Sequence, residues 1–218
     1  QNAGNYLDTL GFTIIRARLL DERGKLDTST EILYATGAAL MIRKSLFEQI
    51  YGFDPNFFAY YEDTDLCWRV RLTGKSVLFV PSAIVFHAEG AGWGRVKLAL
   101  RINHYVRNQL YTVVKNYSLK NILIHGFVLY IVYMFAAIWY ALKKFPDLSF
   151  NIVKALLQFI RMFPECWRSH LVVQNRIRKI GDNELIGKYL KPFNLVRLFR
   201  RYRNGIGYTL THDKPLSK

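Results

Sequence analysis

The spacing of apolar residues changes character along these 218 residues. Over residues 1–30 polar and apolar positions mix without a long period. One short strand is expected at Phe12–Ala17 and a turn at Asp21-Glu22-Arg23-Gly24. Residues 32–42 form an apolar run with Gly37 inside it, which predicts a buried strand where another group approaches the backbone. Lys44 to Tyr51 suits a short helix stopped by Gly52, and Asp54 before Pro55 favours a turn. A second helix is expected from about Asp63 to Thr73, ended by Gly74. Leu66, Val70 and Leu72 form its apolar side, with Trp68 at the edge. Val77–Val80 and Ala83–Phe86 read as short strands parted by Pro81-Ser82, with His87 closing the second and a loop at Gly90–Gly94. Strands alternating with helices predict an α/β domain.

After Arg95 the pattern turns helical. Residues 96–117 suit one basic helix carrying Arg101, Arg107 and Lys115. From Asn121 to Leu142 no Asp, Glu, Lys or Arg occurs. As a helix rising ~1.5 Å per residue this is long enough to cross a hydrocarbon core. Lys120, Lys143 and Lys144 flank it, and Tyr130, Tyr133, Trp139 and Tyr140 suit the interfaces. A buried core helix with exposed flanks would give the same pattern. In residues 148–163 the polar Asn151, Lys154, Gln158 and Arg161 recur on one face, as in a helix lying among lipid headgroups or in an ordinary surface helix. Arg197, Arg200, Arg201 and Arg203 mark a further basic amphipathic stretch.

Charge sharpens this division. Residues 1–95 hold 10 Lys+Arg against 11 Asp+Glu, and residues 96–218 hold 21 against 5. Nucleic acid, anionic lipid or a phosphorylated substrate would each suit the basic half. Because its basic residues alternate with a spanning-length apolar segment, nucleic acid is the poorest fit. Cys67 and Cys166 form no disulfide framework. Basic segments resist translocation, so both flanks of 121–142 are expected on the cytosolic side, with 121–142 entering as a re-entrant or tilted helix and 148–163 returning along the interface.

The candidate chemistry sits at Glu62-Asp63-Thr64-Asp65, three carboxylates in four residues behind an aromatic run. Acids in the first turn of a helix stabilise it without further purpose. Close carboxylates also bind hard cations, and a carboxylate behind an aromatic wall can act as a general base. His87 by itself is as compatible with packing as with ligation.

The order of pieces over residues 36–90 resembles family 2 glycosyltransferases, especially their rhamnosyltransferase-like branch. Thr36-Gly37-Ala38-Ala39, Gly52-Phe53-Asp54, Phe57-Phe58, Tyr61-Glu62-Asp63-Thr64-Asp65-Leu66, Arg69, Gly74, Val80-Pro81 and His87 follow in the family's sequence, and similarity continues more loosely through Arg107-Asn108. The resemblance implies the C-terminal half of a GT-A domain, Rossmann-like with a mixed sheet, over residues 1–95. A connecting helix (96–120), a membrane helix with an interfacial helix (121–163) and a basic helical tail (164–218) would follow. It implies Asp63 as the base of an inverting transfer from a nucleotide-sugar donor to a glycan or lipid-linked acceptor. Gly37, Ala38, Glu62, Asp65 and Arg69 would line the substrates, and His87 would hold a divalent cation, Mn²⁺ or Mg²⁺, on the diphosphate. The family's donor-binding half, with its Asp-x-Asp metal motif, is expected upstream of Gln1, which would leave these residues inactive alone. A membrane-anchored, non-catalytic glycan-binding remnant is the alternative. The implied location is the cell membrane, with the catalytic part on the cytoplasmic side.

Overall fold

The computed structural model describes residues 3–16, 26–87, 98–196 and 198. The turn expected at 21–24, the glycine loop at 90–94, and Arg197, Arg200, Arg201 and Arg203 lie outside them.

Two small sheets begin the chain. β1 (Asn5–Asp8) pairs antiparallel with β2 (Thr13–Ile15), Tyr6 opposite Ile14. The Asp8 carboxylate closes the connection by accepting the N–H groups of Leu10 and Phe12, each at 3.0 Å, and Gly11 supplies the left-handed turn residue (φ 81°). On the other edge of β1, β5 (Leu190–Lys191) adds in parallel with Leu7 opposite Leu190, so residues far apart in sequence form one mixed sheet. β3 (Thr30–Glu31) and β4 (Leu78–Phe79) make a separate antiparallel pair.

Two expected strands are absent as such. In the run 32–42, Ile32–Tyr34 are buried and Tyr34 bridges to Asn5. The chain then makes a single 3₁₀ turn at Gly37–Ala39 and emerges into solvent, because these small residues have no bulk to bury and the Ala39 N–H bonds back to Thr36. Ala83–Phe86 forms no ladder with any described residue, and Phe86 is 97% exposed.

Helix α1 (Lys44–Gln49) stops where Gly52 turns left-handed, φ 60°. Helix α2 (Glu62–Leu72) has Glu62, Asp63 and Asp65 in its first turn and Arg69 and Arg71 in its last, each sign opposing the helix dipole. Gly74, φ 79°, ends it, its N–H bonding the Arg71 carbonyl. The helix is buried all round from Thr64 to Leu72, and Trp68 lies in the core against Tyr117 rather than at an edge. Helix α3 (Leu98–Asn116) provides the cover that hides it.

Next come α4 (Leu119–Asn121), a π turn (Ile122–Gly126) and α5 (Phe127–Leu142), which run on as one helix of 24 residues, long and apolar enough to cross a membrane. At Lys143–Phe145 the chain reverses into α6 (Pro146–Val172), which packs along both α3 and α5. A π turn (Val173–Ile177) leads to α7 (Asp182–Tyr189). Asn151, expected on the polar face of α6, is buried: Asn103 donates to its carbonyl at 3.2 Å. Lys154 and Arg161 are exposed.

Candidate active site

The aromatic run before the acidic cluster is folded in an unusual way. Phe58, Tyr60 and Tyr61 adopt left-handed backbone angles, φ 62°, 67° and 70°, and Tyr61 is the residue from which α2 starts. Bulky side chains avoid this region, at about 1–3 kcal/mol for each such residue, and persist there when their surroundings hold them. Here α3 does the holding. The Asn108 side-chain amide donates to the carbonyls of Phe57, Ala59 and Tyr60 at 2.9, 2.7 and 2.8 Å. Arg107 adds a bond to the Phe57 carbonyl at 3.2 Å, and Tyr61 donates its hydroxyl to the Gly11 carbonyl at 2.8 Å.

The loop thus fixed sets the direction of Asp63. One of its carboxylate oxygens accepts the Gly37 N–H at 2.9 Å, and the other accepts the Thr64 N–H at 2.7 Å. A methyl group at Gly37 would lie 3.6 Å from the Asp63 Cβ, so the glycine turn sits directly against the acid. Burial raises the Asp63 carboxyl above its ordinary value, with these N–H groups opposing the rise. Glu62 is raised too, first by burial and then by the charge of Asp63. Its Oε2 is buried and accepts no hydrogen bond among the described residues. Tyr34, buried alongside, is pushed up by burial and then by the charge of Asp63. The site therefore offers a carboxylate of enhanced basicity beside a backbone turn that is open to solvent at Gly37 and Ala38.

Asp65 and Arg69 point the other way, into the protein. Asp65 is wholly buried, with Arg69 at 2.7 Å, Lys115 at 2.9 Å and the Asn116 amide at 2.8 Å. Burial alone would raise its carboxyl; Arg69 and Lys115 reverse that and hold it below the ordinary value. Arg69 also donates to the Ile50 carbonyl, and Lys115 to Asp54 at 2.7 Å. Neither Asp65 nor Arg69 presents a surface to a substrate; both tie the first turns of α2 to α3 and to the end of α1.

His87 is exposed at the end of the Ala83–His87 segment. Among the described residues no group of three or more ligating side chains forms, so His87 offers one donor rather than a closed metal site.

The structure brings Gly37 and Asp63, 26 positions apart, into contact, and the sequence had offered both as site residues. Sequence reading missed the clamp at Asn108 and the brace at Lys115. The adjacent Arg107-Asn108 pair was the available signal for the first; nothing local signals the second.

This is a carboxylate aimed by backbone donors and stiffened from behind, and comparison with known proteins relates part of the chain to glycosyltransferases. It is 40% identical over 62 residues to the N-acetylglucosaminyl-diphospho-decaprenol L-rhamnosyltransferase of Mycobacterium tuberculosis, a match covering 28% of this chain and 20% of that protein. It is 38% identical over 61 residues to the rhamnosyltransferase WbbL of Escherichia coli, covering 28% of this chain and 22% of that one. The matches thus span about a fifth of the length of these curated relatives. No family model matches, and no solved structure does.

Proposed function

We propose that this chain forms the acceptor side of an inverting family 2 glycosyltransferase of GT-A fold, with Asp63 as its general base. The enzyme moves a sugar from a nucleotide-diphosphate donor to a glycan or lipid-linked acceptor in cell-surface polysaccharide synthesis, at the cytoplasmic side of the cell membrane. The observation that carries the reading is the 2.9 Å bond from Gly37 N–H to Asp63, which holds the acid in one orientation at an open turn. Similarity to two rhamnosyltransferases supports the same class of reaction.

Asp63 takes the proton of an acceptor hydroxyl. The freed oxygen forms a bond to the anomeric carbon while the bond from that carbon to the diphosphate oxygen breaks on the opposite face, and configuration inverts. The exposed Gly37 and Ala38 let the donor sugar approach backbone, and Glu62 lines the acceptor side. Asp65 and Arg69 contribute by position: they hold the start of α2. His87 would give one ligand to a divalent cation, Mn²⁺ or Mg²⁺, which neutralises the leaving diphosphate when bound.

The test is Asp63→Asn in the polypeptide that carries this chain. The swap keeps the side chain's shape and removes its basicity. Transfer should fall by ~10²–10⁴-fold with folding retained. Transfer within a few-fold of the parent would overturn the assignment.

A further inference from the structure

The 24-residue apolar helix is fastened to the domain along its length. At its start, Asp182 of α7 accepts the Ser118 N–H, the Ser118 hydroxyl and the Asn121 amide at 2.8, 2.6 and 2.7 Å, and is itself paired with Arg178 at 2.7 Å. Near its middle, Tyr133 donates to the side chain of Gln109 at 2.5 Å, and Gln109 donates in turn to the Leu10 carbonyl at 2.9 Å. The Tyr133 ring also packs against Phe12, 5.9 Å between centroids. Its hairpin partner α6 is held as firmly to α3: Tyr111 meets Ser169 at 3.1 Å, and His170 meets the Val114 carbonyl at 3.0 Å. A bilayer crossing would put the midpoint of this helix about 15 Å deep and draw Gln109, Phe12 and the β1–β2 turn in with it.

The outward sides of both arms are nevertheless apolar. On α5, Phe127, Phe135 and Leu142 are 65%, 68% and 75% exposed; on α6, Phe150, Leu157 and Ile160 are 66%, 52% and 53% exposed. Spacings of seven and three place the α6 residues on one stripe. Lys154, Arg161 and Arg168, seven apart, run beside it and are exposed. Lys143 and Lys144 mark the hairpin tip, and residues 96–218 carry 21 basic against 5 acidic side chains.

We propose that the α5–α6 hairpin is a monotopic docking surface for an anionic lipid bilayer. The outward apolar rows enter the headgroup and upper acyl region, the basic row meets lipid phosphates, and the chain does not cross. This rests on the membrane location proposed above, and it adds the mode of attachment: the helix of spanning length lies in the membrane plane.

The test uses the whole chain and vesicles of phosphatidylcholine containing about one third phosphatidylglycerol. The protein should float with these vesicles, and Lys154→Gln with Arg161→Gln should weaken binding by about fivefold per charge at low salt. Spin labels at Leu123, Phe135 and Leu157, in a background lacking Cys67 and Cys166, read depth. In-plane docking predicts that all three lie at similar shallow depths, roughly 5–10 Å. Depths differing between positions 123 and 135 by about 18 Å, their separation along a helix axis, would show crossing and overturn the proposal while leaving membrane location intact. Failure to float would overturn both, and so would a dimer in solution that buries Phe135 and Leu157. Neither readout depends on Asp63, so loss of the catalytic assignment would leave this result standing.

Discussion

The α2–α3 core and the α5–α6 hairpin invert each other's distribution of polarity. Inside the first, Asp65, Arg69, Arg71 and Lys115 are each no more than 4% exposed. On the outside of the second, phenylalanines and leucines face solvent. Each inversion has a local physical reason. The buried charges all have partners: Asp65 with Arg69 and Lys115, and Arg71 with Glu31 and the Val77 carbonyl while it stacks on Tyr189. Charged pairs inside a protein are expensive to desolvate and are a poor source of net stability. What they supply here is direction: they fix the first turn of α2, and so Asp63, between helices from distant parts of the chain. The hairpin's exposed rows have no partner of that kind among the described residues, and their complement is the bilayer proposed above.

The largest effect should come from unpairing the core. Asp65→Ala leaves Arg69 and Lys115 buried without their shared anion, and should cost about 3–5 kcal/mol in a denaturant titration. A loss below 1 kcal/mol would mean that the cluster is not the brace described here. Next is Asn108→Ala, which removes the side-chain donor to three carbonyls beneath the left-handed loop. It should cost about 1–3 kcal/mol and reduce transfer by misplacing Asp63. Unchanged transfer and stability would show that the loop holds its shape without α3. The smallest effect belongs to the hairpin. Phe135→Ser, at an exposed position, should change stability in the absence of lipid by about 0.5 kcal/mol or less. A loss of several kcal/mol would place Phe135 inside a packed interface and remove the contrast.

Much of the helical framework was legible in sequence because its signals are local. Gly74 ends α2, expected over Asp63–Thr73 and found at Glu62–Leu72. The basic helix expected at 96–117 is α3, Leu98–Asn116, and the uncharged run at 121–142 lies within Leu119–Leu142. What could not be read depends on partners distant in sequence. Lys115 looks like one cation on a basic helix, yet it is committed to Asp54 and Asp65, 61 and 50 positions away. Trp68 looks marginal on the α2 wheel because the cover over it comes from α3 and Tyr117. Ala83–Phe86 has the composition of a strand, but a strand needs a neighbouring backbone, and none of the described residues supplies one. Asp63 and Gly37 were candidates from their place in a recognisable order of residues, and the fold joins them by a hydrogen bond of 2.9 Å. The reason Asp63 is held still, a strained loop clamped by Asn108, requires the fold.

The most direct measurement of the central claim is the pH dependence of transfer by the enzyme carrying this chain, compared with that of Asp63→Asn. Burial raises the Asp63 carboxyl, so the active, ionised form should be lost on acidification at a pH above the ordinary aspartate value of 3.8. The account predicts an acid limb of kcat/KM displaced upward in the parent and missing from the residual activity of Asp63→Asn. The same acid limb in both proteins would contradict it.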